Sequence, residues 1–240
     1  MMRPRGVDQM RRFWDSRARE NAYYFVNNQT EAPDSDDDAF WTSGARDLGR
    51  VTRLLGIELT RNDRVLEIGC GVGRMTRVLA EHAGAVLALD VSPEMIERAR
   101  AYNPRLANVD WIVSDGRALA GIDQGTVDCC LSYVVFQHIP DPEVTLGYVR
   151  EIGRVLRPGG WAALQVSDLP PRSQFTARLA ALLGPLRARL PSGWAHHPAW
   201  RGSTVTPSKL QASAKAAGLS TERVEGAGTQ YCFVLLRREG

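Results

Sequence analysis

A short glycine-rich segment carries the clearest chemical signal in this sequence. The apolar run Val65–Ile68 leads into Gly69, Gly71 and Gly73, and a helix is predicted to begin near Arg74. Glycines let the backbone turn sharply and approach a ligand closely, because they have no Cβ atom. The N-terminus of the following helix offers unpaired N–H groups to an anionic group. The segment therefore predicts a ligand site, although a tight strand–helix turn with no ligand is the simpler alternative.

Acidic and polar side chains stand at the ends of three further predicted strands. Asp90 ends the run Ala85–Asp90, Asp115 ends the run Asp110–Asp115, and the fourth strand ends within Ser132–His138. Because the carboxyl ends of parallel strands meet at one edge of a sheet, we expect these side chains to lie close together. A carboxylate about twenty residues after the glycines can accept two hydrogen bonds from ribose hydroxyls.

The elements that must position these residues alternate along the chain. Apolar runs separated by helical segments indicate a parallel sheet that is covered by helices on both faces. Ser92-Pro93 and Asp141-Pro142 are typical helix starts, and Pro158-Gly-Gly160 is predicted to end the helix that begins near Glu143. The predicted strands are Val65–Ile68, Val86–Leu89, Val109–Val113, Val127–Tyr133 and Trp161–Val166.

The C-terminal part of the chain predicts a reversed strand near one edge of this sheet. A helix near Pro207–Ala217 precedes two strands, Leu219–Val224 and Thr229–Arg237. Only Glu225–Gly228 separates these two strands, so they should pair as an antiparallel hairpin.

Two segments lie outside this pattern. Residues 1–60 are interpreted as an N-terminal helical cap with helices over Val7–Arg19 and Ala39–Leu55, and residues 61–240 as the main domain. Residues 167–206 form an insertion that follows the carboxyl end of a strand, where ligands bind in open parallel sheets. We expect the insertion to act as a lid. The alternative is a surface segment whose leucines pack against one another.

Composition excludes several classes of protein. With 240 residues, 44% hydrophobic residues and a net charge of +3, the chain is typical of an ordinary globular domain. No apolar run is long enough to span a membrane, and no apolar stretch follows the basic N-terminus, so we expect a cytoplasmic protein without a membrane partner. The arginines are scattered, which argues against nucleic-acid binding. The cysteines form no C-x-x-C pair and predict buried thiols: Cys70, Cys129, Cys130 and Cys232.

A dinucleotide-binding fold also has a glycine turn and an acidic residue further along the chain. Its motif requires a third glycine at position 74, where this chain has Arg74. The segment Glu67–Gly73 instead resembles the first motif of the class I S-adenosylmethionine-dependent methyltransferases. Leu89–Met95 resembles the second-strand motif of that family, and Leu156–Gly160 its late helix-to-strand turn. The resemblance covers about Asn62–Val166. It implies an α/β fold with a Rossmann-like, doubly wound, mostly parallel seven-stranded sheet, in which the C-terminal hairpin supplies the reversed strand.

The resemblance also implies where S-adenosylmethionine would bind and S-adenosylhomocysteine would remain as the product. The glycines and Glu67 should lie at its methionine end, Asp90 at its ribose and Asp115 at its adenine amino group. Met95 is interpreted equally well as a core residue. The full set of expected cofactor contacts is Glu67, Gly69, Gly71, Gly73, Asp90, Val91, Met95, Asp115, Gly116, Ser132 and Tyr133, of which the last two should flank the sulfonium.

Candidates for catalysis and acceptor binding lie outside these motifs. His138 is the best candidate for a general base, because a histidine can transfer protons near neutral pH, and packing against the following proline turn is the alternative. An aromatic cover over the acceptor is expected from Trp14, Tyr23 and Tyr24, and further acceptor contacts from His196 and Trp200. Packing of the N-terminal helix is the alternative for the first three. Adjacent histidines alone do not predict a metal site, so no metal is expected.

These observations favour S-adenosylmethionine-dependent methyl transfer to the oxygen or nitrogen of a small molecule, in secondary or natural-product biosynthesis, by a monomer or homodimer. Methylation of RNA or protein is an alternative, but Ser132–Val135 departs from the Asn/Asp-Pro-Pro-Tyr pattern frequent in such enzymes. A cofactor-binding protein without catalysis is a second alternative. We expect residues 1–30 and 167–206 to close over the cofactor, because methyl transfer needs a site that excludes water.

Overall fold

The computed structural model describes residues 5–27, 37–169 and 197–240. Its centre is a seven-stranded sheet in the order β3-β2-β1-β4-β5-β7-β6. Strands β1 to β5 are parallel, and β7 runs antiparallel to both β5 and β6. The predicted doubly wound α/β fold with an antiparallel C-terminal hairpin is confirmed. The strands are β1 Arg64–Ile68, β2 Ala85–Asp90, β3 Val109–Val113, β4 Val127–Ser132, β5 Leu156–Val166, β6 Leu219–Glu225 and β7 Cys232–Arg238.

Helices cover both faces of the sheet, and two of them begin as the sequence predicts. Ser92 Oγ accepts a hydrogen bond from the Met95 N–H, and the Asp141 carboxylate accepts one from the Glu143 N–H. The described helices are α1 Arg5–Val26, α2 Asp37–Leu55, α3 Thr76–His82, α4 Pro93–Tyr102, α5 Pro142–Val155, α6 Pro198–Arg201 and α7 Pro207–Ala216, with a 3₁₀ turn at Phe136–His138.

Strand order creates a crevice beside β1. The chain runs from β1 outward to β2 and β3, and then returns to place β4 on the other side of β1. Loops that leave β1 and β4 therefore diverge to opposite faces of the sheet, which opens a space at the carboxyl ends of these strands. The glycine segment and His138 both follow strands that border this crevice.

Element boundaries differ from the prediction where the chain passes from α5 into β5. Helix α5 ends at Val155, and β5 begins at once with Leu156, so Pro158-Gly-Gly160 lies inside the strand instead of ending the helix. The pairing of β4 with β5 shifts register between Val127 and Cys129, which leaves the residues around Pro158 exposed as a bulge. Proline is tolerated there because a bulge needs no ladder hydrogen bond from it.

Helices α1 and α2 contribute to the two layers of core on either side of the sheet. Met10 and Phe13 of α1 are buried in the layer that contains Leu66 of β1. Leu48 and Val51 of α2 are buried in the opposite layer. The predicted division at residue 60 stays a prediction, and so does the lid-like insertion at 167–206, of which residues 170–196 lie outside the described residues.

A kink extends α1 beyond its predicted end at Arg19. Asn21 has non-helical backbone angles (φ −167°, ψ 88°), and its Oδ1 accepts a hydrogen bond from the Tyr24 N–H at 3.1 Å. The side chain of Asn21 thus caps a second helical stretch that continues to Val26. This stretch carries Phe25 and Val26 to the crevice.

The four cysteines are free thiols, and all are buried. Within the described ranges, no helix is long and apolar enough to cross a membrane. The same residues contain no group of three His, Cys, Asp or Glu side chains arranged to hold a metal ion.

Candidate active site

One pocket occupies the crevice at the carboxyl ends of the parallel strands. It holds about 1050 Å³ of space, part of which is open to solvent. Its walls come from the loops after β1, β2, β3 and β4, with α1 on the remaining side. Of the expected cofactor contacts, eight line this pocket: Glu67, Gly69, Gly71, Asp90, Val91, Met95, Gly116 and Tyr133.

The glycine segment forms the floor of the pocket, and its backbone requires glycine. Gly69 has φ 79° and Gly71 has φ 56°, both in the left-handed region. A Cβ at Gly69 would overlap the side chain of Val135, and one at Gly71 would lie 2.8 Å from a methyl of Val26. Gly73 lies behind the pocket, where a Cβ would meet Trp111 at 2.6 Å. The segment therefore combines close approach of a ligand with tight packing of the turn itself.

Asp90 is held at the end of β2 by backbone donors. Its Oδ2 accepts a hydrogen bond from the Gly71 N–H at 3.0 Å, and its Oδ1 accepts one from the Ser92 N–H at 2.9 Å. Burial raises the pKa of this carboxyl to about 6, and the backbone hydrogen bonds oppose that increase. A carboxylate oxygen can accept more than one hydrogen bond, so Asp90 retains the capacity to bind a diol.

Asp115 and Ser132 lie outside the pocket lining, unlike their expected positions. The exposed Asp115 carboxylate accepts hydrogen bonds from the backbone N–H groups of Arg117 and Ala118 at 2.8 and 3.0 Å, so it stabilises the turn after β3. Ser114 reaches the pocket in its place. The buried Ser132 hydroxyl donates to the Ile68 carbonyl at 3.1 Å and thereby links β4 to β1.

Opposite charges meet at the end of the pocket beside α3. Glu67 Oε2 accepts a hydrogen bond from Thr76 Oγ1 at 2.6 Å. Burial raises the pKa of Glu67 to about 7, while the Thr76 hydrogen bond and the charge of Arg74 oppose the increase. The Arg74 side chain is only 6% exposed and donates through Nη1 to Asp47 at 2.7 Å and to Ser43 at 2.8 Å. Its buried Nε has no hydrogen-bond partner among the described residues.

This pair of charges is complementary to the ammonium and carboxylate groups of an amino acid. A buried donor without a partner costs free energy, and an anionic ligand would remove that cost. Arg74 was not predicted from the sequence as a site residue, although its position directly after the last glycine pointed to the site.

One end of the pocket, around His138, is apolar, and Trp14 and Phe25 of α1 contribute to it. Trp14 was predicted here from the sequence, whereas Phe25 and Val26 were not, because the kink at Asn21 that brings them to the pocket follows the predicted end of the helix. The apolar side chains around His138 are Trp14, Phe25, Val134, Val135 and Ile139, while Met10 lies beside Gly116 and Val26 beside Gly71.

His138 lies in the wall between these apolar residues and packs between two tryptophans. Its ring is 5.5 Å from that of Trp14 and 5.2 Å from that of Trp200. His138 Nδ1 lies 2.8 Å from the Trp200 carbonyl oxygen. Burial lowers the pKa of His138 to about 4, although the Trp200 carbonyl opposes this. The imidazole is therefore neutral at physiological pH.

Other expected acceptor contacts lie elsewhere. Tyr23 packs against Phe40 at 4.6 Å and Tyr102 at 5.4 Å, and the Tyr24 ring contacts Phe25 at 5.1 Å; neither tyrosine lines the pocket. Trp200 touches His138 but does not itself line the pocket. His196 lies outside the described residues.

Comparison with known proteins agrees with this geometry. Residues 66–164 match the model of a family described as methyltransferase domain. The match runs from β1 to β5 and so contains the glycine segment, Asp90 and the loop after β4. Residues 66–164 are thus recognisable as a methyltransferase domain.

Relatives and solved structures share this domain's features to different extents. The domain and its surroundings are 29% identical over 164 residues to the ubiquinone biosynthesis O-methyltransferase of Xanthomonas campestris pv. campestris, which covers 68% of this chain and 65% of that protein. The chain thus matches somewhat less than two thirds of the length of this relative. The protein of the same name from Xanthomonas axonopodis pv. citri is also 29% identical, over the same shares of the two chains.

Two solved structures establish the likeness of the methyltransferase fold. A SAM-dependent methyltransferase from Aquifex aeolicus superposes with a TM-score of 0.53 at 20% identity, over 81% of this chain and 88% of that one. A SAM-dependent methyltransferase from Methanosarcina mazei gives a TM-score of 0.56 at 17% identity, over 78% and 97%. At these identities the likeness concerns the fold.

S-adenosylmethionine is the cofactor of this domain family, and the pocket fits it. The molecule carries a ribose diol at one part and a zwitterionic amino acid at another. Asp90 offers acceptor oxygens of the kind a diol needs, and Glu67 and Arg74, whose buried Nε has no hydrogen-bond partner among the described residues, also line the pocket.

Proposed function

We propose that this protein transfers the methyl group of S-adenosylmethionine to an oxygen or nitrogen of an uncharged, largely apolar small molecule. One observation carries the proposal. A single pocket is lined by a charged group, Glu67, Arg74 and Asp90, and by an apolar group of side chains around the neutral His138. The first suits the cofactor, and the second suits an acceptor.

The cofactor is assigned to the charged end residue by residue. Asp90 would accept hydrogen bonds from the ribose hydroxyls, and the side chains of Val91 and Met95 would contact the adenine next to the Gly116 backbone. Arg74 would hold the methionine carboxylate and Glu67 its ammonium group. Asp115 would reach the adenine amino group only if the turn that its carboxylate caps opened, so the structure gives this expected contact no support.

The acceptor is assigned to the apolar end because of what lines it. Among the described residues, the side chains there are aliphatic or aromatic apart from His138, and none is charged. Burial of a charge without a partner is costly, so an acceptor with a charged group near the reacting atom would be excluded. The name of the Xanthomonas relatives specifies an O-methyltransferase, which favours oxygen as the acceptor atom.

When bound, S-adenosylmethionine supplies an electrophilic methyl group on a sulfonium. The protein must orient the acceptor, exclude water and provide a site for a proton. For a hydroxyl acceptor, an oxygen lone pair forms the new bond to the methyl carbon, the electrons of the broken carbon–sulfur bond remain on sulfur, and the hydroxyl proton passes to His138 Nε2. Because His138 is neutral and its Nδ1 faces the Trp200 carbonyl, Nε2 is the unprotonated nitrogen that can take that proton once the acceptor hydroxyl replaces its present neighbour, Gln137 Nε2.

Two alternatives from the sequence remain distinguishable by experiment. A methyltransferase acting on RNA or protein would need an acceptor to enter past α1, whose Met10 and Phe13 are buried in the core. A binding protein without catalysis would retain the charged end but would not turn over. A place in secondary or natural-product biosynthesis, and a monomeric or homodimeric state, stay predictions.

Calorimetry and turnover together test the proposal. S-adenosylmethionine and S-adenosylhomocysteine should bind, and NAD should not. A panel of neutral phenolic and amine acceptors, each matched with a carboxylated analogue, should then release S-adenosylhomocysteine only with the neutral members. Binding of NAD without S-adenosylmethionine would contradict the cofactor assignment, and preference for the carboxylated members would contradict the acceptor assignment.

A further inference from the structure

A chain of buried side-chain amides connects β5 with His138. Gln165 of β5 is fully buried, and its Nε2 donates to Gln137 Oε1 at 3.1 Å. Gln137, which is 5% exposed, places its own Nε2 at 3.1 Å from His138 Nε2. His138 Nδ1 in turn meets the Trp200 carbonyl. A buried polar chain of this length needs every donor matched to an acceptor.

The orientation of Gln165 is fixed by groups that have only one possible role. Its Oε1 lies 2.9 Å from the Val134 N–H, which can only donate. Its Nε2 lies 3.1 Å from the Val166 carbonyl and 2.6 Å from the Gln230 carbonyl, which can only accept. A flipped amide would place an oxygen against two carbonyl oxygens. Gln165 therefore donates to Gln137, and the reverse is excluded.

This direction fixes the next two members. Because Gln137 Oε1 accepts from Gln165, the Gln137 Nε2 group must donate to His138 Nε2, which must be unprotonated. The Trp200 carbonyl can only accept, so His138 Nδ1 must carry the proton. Two independent contacts, on opposite sides of the imidazole, thus specify the same neutral tautomer.

The same amide also supports the loop between β4 and His138. Val134 has φ 58°, and among the described residues it is the one non-glycine residue with a positive φ. This conformation is strained for a β-branched residue and persists only where its surroundings hold it. The hydrogen bond from its N–H to Gln165 provides that support. Val135 follows, and it packs directly over Gly69 in the pocket.

We propose that Gln165 and Gln137 are positioning residues, which keep His138 in the Nδ1-protonated tautomer and its Nε2 unprotonated until a hydroxyl of the acceptor replaces the Gln137 N–H. This inference rests on the proposed role of His138 as the base. In the step itself the acceptor's proton passes to Nε2, the imidazolium keeps its Nδ1–H bond to Trp200, and the proton is later lost to solvent.

The amide chain disfavours an imidazolium before the acceptor arrives. A proton on Nε2 would face the Gln137 N–H, and Gln137 cannot rotate its oxygen toward His138 without turning its own N–H groups against the N–H of Gln165. The lowered pKa of His138, caused by burial, is consistent with this arrangement. Trp14 and Trp200 pack on the ring from α1 and α6, and neither brings a charge to it.

A matched pair of variants separates this role from simple packing. Gln137→Glu replaces the donor with a carboxylate that can only accept from Nε2, whereas Gln137→Leu removes the donor and supplies no acceptor. Long-range ¹H–¹⁵N correlation spectra of the ¹⁵N-labelled protein with S-adenosylhomocysteine report the tautomer, and the His138→Gln variant identifies the His138 signals. Melting curves and calorimetric affinity for S-adenosylhomocysteine check that each variant is folded.

We expect His138 to be protonated at Nδ1 only in the native protein and in Gln137→Leu, and at Nε2 as well as Nδ1 in Gln137→Glu, because the Trp200 carbonyl still accepts from Nδ1. Gln137→Glu should lower kcat about a hundredfold, the scale of a general base, with the affinity for S-adenosylhomocysteine unchanged. The fall for Gln137→Leu should be clearly smaller.

Three results would overturn the inference. These are Nε2 protonation in the native protein, an Nε2 that stays unprotonated in Gln137→Glu, or equal losses of kcat in the two variants. A protonated Nε2 in Gln137→Glu with full turnover would show that His138 is not the base, while methyl transfer itself would stand. If Gln137→Glu does not fold, the tautomer of the native protein decides alone. Failure of the native protein to bind S-adenosylhomocysteine would instead contradict the proposed function.

Discussion

The Asp15 carboxylate of α1 lies at the N-terminus of α4, where it accepts a hydrogen bond from Ser92 Oγ at 2.6 Å. The same oxygen lies 3.4 Å from the Glu94 N–H. Ser92 Oγ itself accepts from the Met95 N–H, and the Ser92 N–H donates to Asp90. One set of hydrogen bonds thus attaches α1 to the part of the pocket that is assigned to the nucleoside.

Removal of the Asp15 carboxylate should loosen this attachment. In Asp15→Ala we expect faster hydrogen exchange of the backbone amides in α1, because a hydrogen bond to a charged group contributes about 1.5 kcal/mol. Cofactor affinity should fall by a smaller amount. Asp8→Ala removes an exposed carboxylate from the same helix and is the control. Equal exchange in the two variants would show that Asp15 does not hold α1 in place.

Two aspartates that both follow strands of the sheet should behave differently. Asp90→Ala should weaken binding of S-adenosylmethionine by about 2–3 kcal/mol in calorimetry, because charged hydrogen bonds to the ribose are lost. Asp115→Ala should leave binding nearly unchanged, since that carboxylate caps a turn outside the pocket. An equal loss in both variants would support the contact between Asp115 and adenine that the sequence predicts.

Glu67→Gln should stabilise the free protein while weakening cofactor binding. In the folded protein the pKa of Glu67 is raised from 4.5 to about 7, mainly by burial. The contribution of Glu67 to the free energy of unfolding is therefore complete below pH 4.5 and is lost as the pH rises through 7. Glutamine avoids this loss and should raise the free energy of unfolding at pH 8 by up to about 3 kcal/mol. Urea unfolding of both proteins at pH 8 and at pH 4.5 measures this difference in the free energy of unfolding. An equal difference at the two pH values would contradict the raised pKa of Glu67.

The stability of the protein should also fall in mildly acidic solution because of His138. Its folded pKa is lowered from 6.5 to about 4, so the unfolded chain binds a proton first as the pH decreases through 6.5. The loss should approach about 2 kcal/mol at pH 5. Comparison of native protein with His138→Gln at pH 7.5 and pH 5 isolates this contribution, because glutamine does not titrate. A difference between the proteins that is independent of pH would show that His138 titrates normally.

Trp14 is the aromatic residue of α1 that should matter for the acceptor. Its ring lines the pocket and touches His138, whereas the Tyr23 ring packs against Phe40 behind it. Trp14→Leu should raise the KM for the acceptor about tenfold or more, because a large contact surface is lost. Tyr23→Phe should leave this KM unchanged. The reverse pattern would move the acceptor toward Tyr23.

The parts of the site that local sequence determines were predictable. The glycine segment requires positive φ angles that few other residues adopt, and Asp90 follows a strand whose direction fixes its side chain near that segment. Asp115 follows a strand in the same way, but a local turn satisfies its carboxylate, and nothing in the residue types distinguishes the two cases.

Residues that depend on distant contacts were not predictable in the same way. Arg74 is held by Asp47, and the kink at Asn21 brings Phe25 to the pocket. The tautomer of His138 depends on a carbonyl at Trp200 and, through Gln137, on Gln165. Each of these partners lies far along the chain, where hydrophobic period and turn composition carry no information about side-chain partners.

The strand order determines when each strand can pair as the chain folds. Strand β7 follows β6 in the sequence, yet it occupies an interior position and supplies the only strand neighbour of β6 in the described sheet. While the chain is being synthesised, the edge of β5 is therefore left open and β6 has no strand to pair with until residues 232–238 emerge. Exposed strand edges at this stage invite pairing with other chains, so the interval before residues 232–238 join the sheet is the one in which this protein most depends on chaperones.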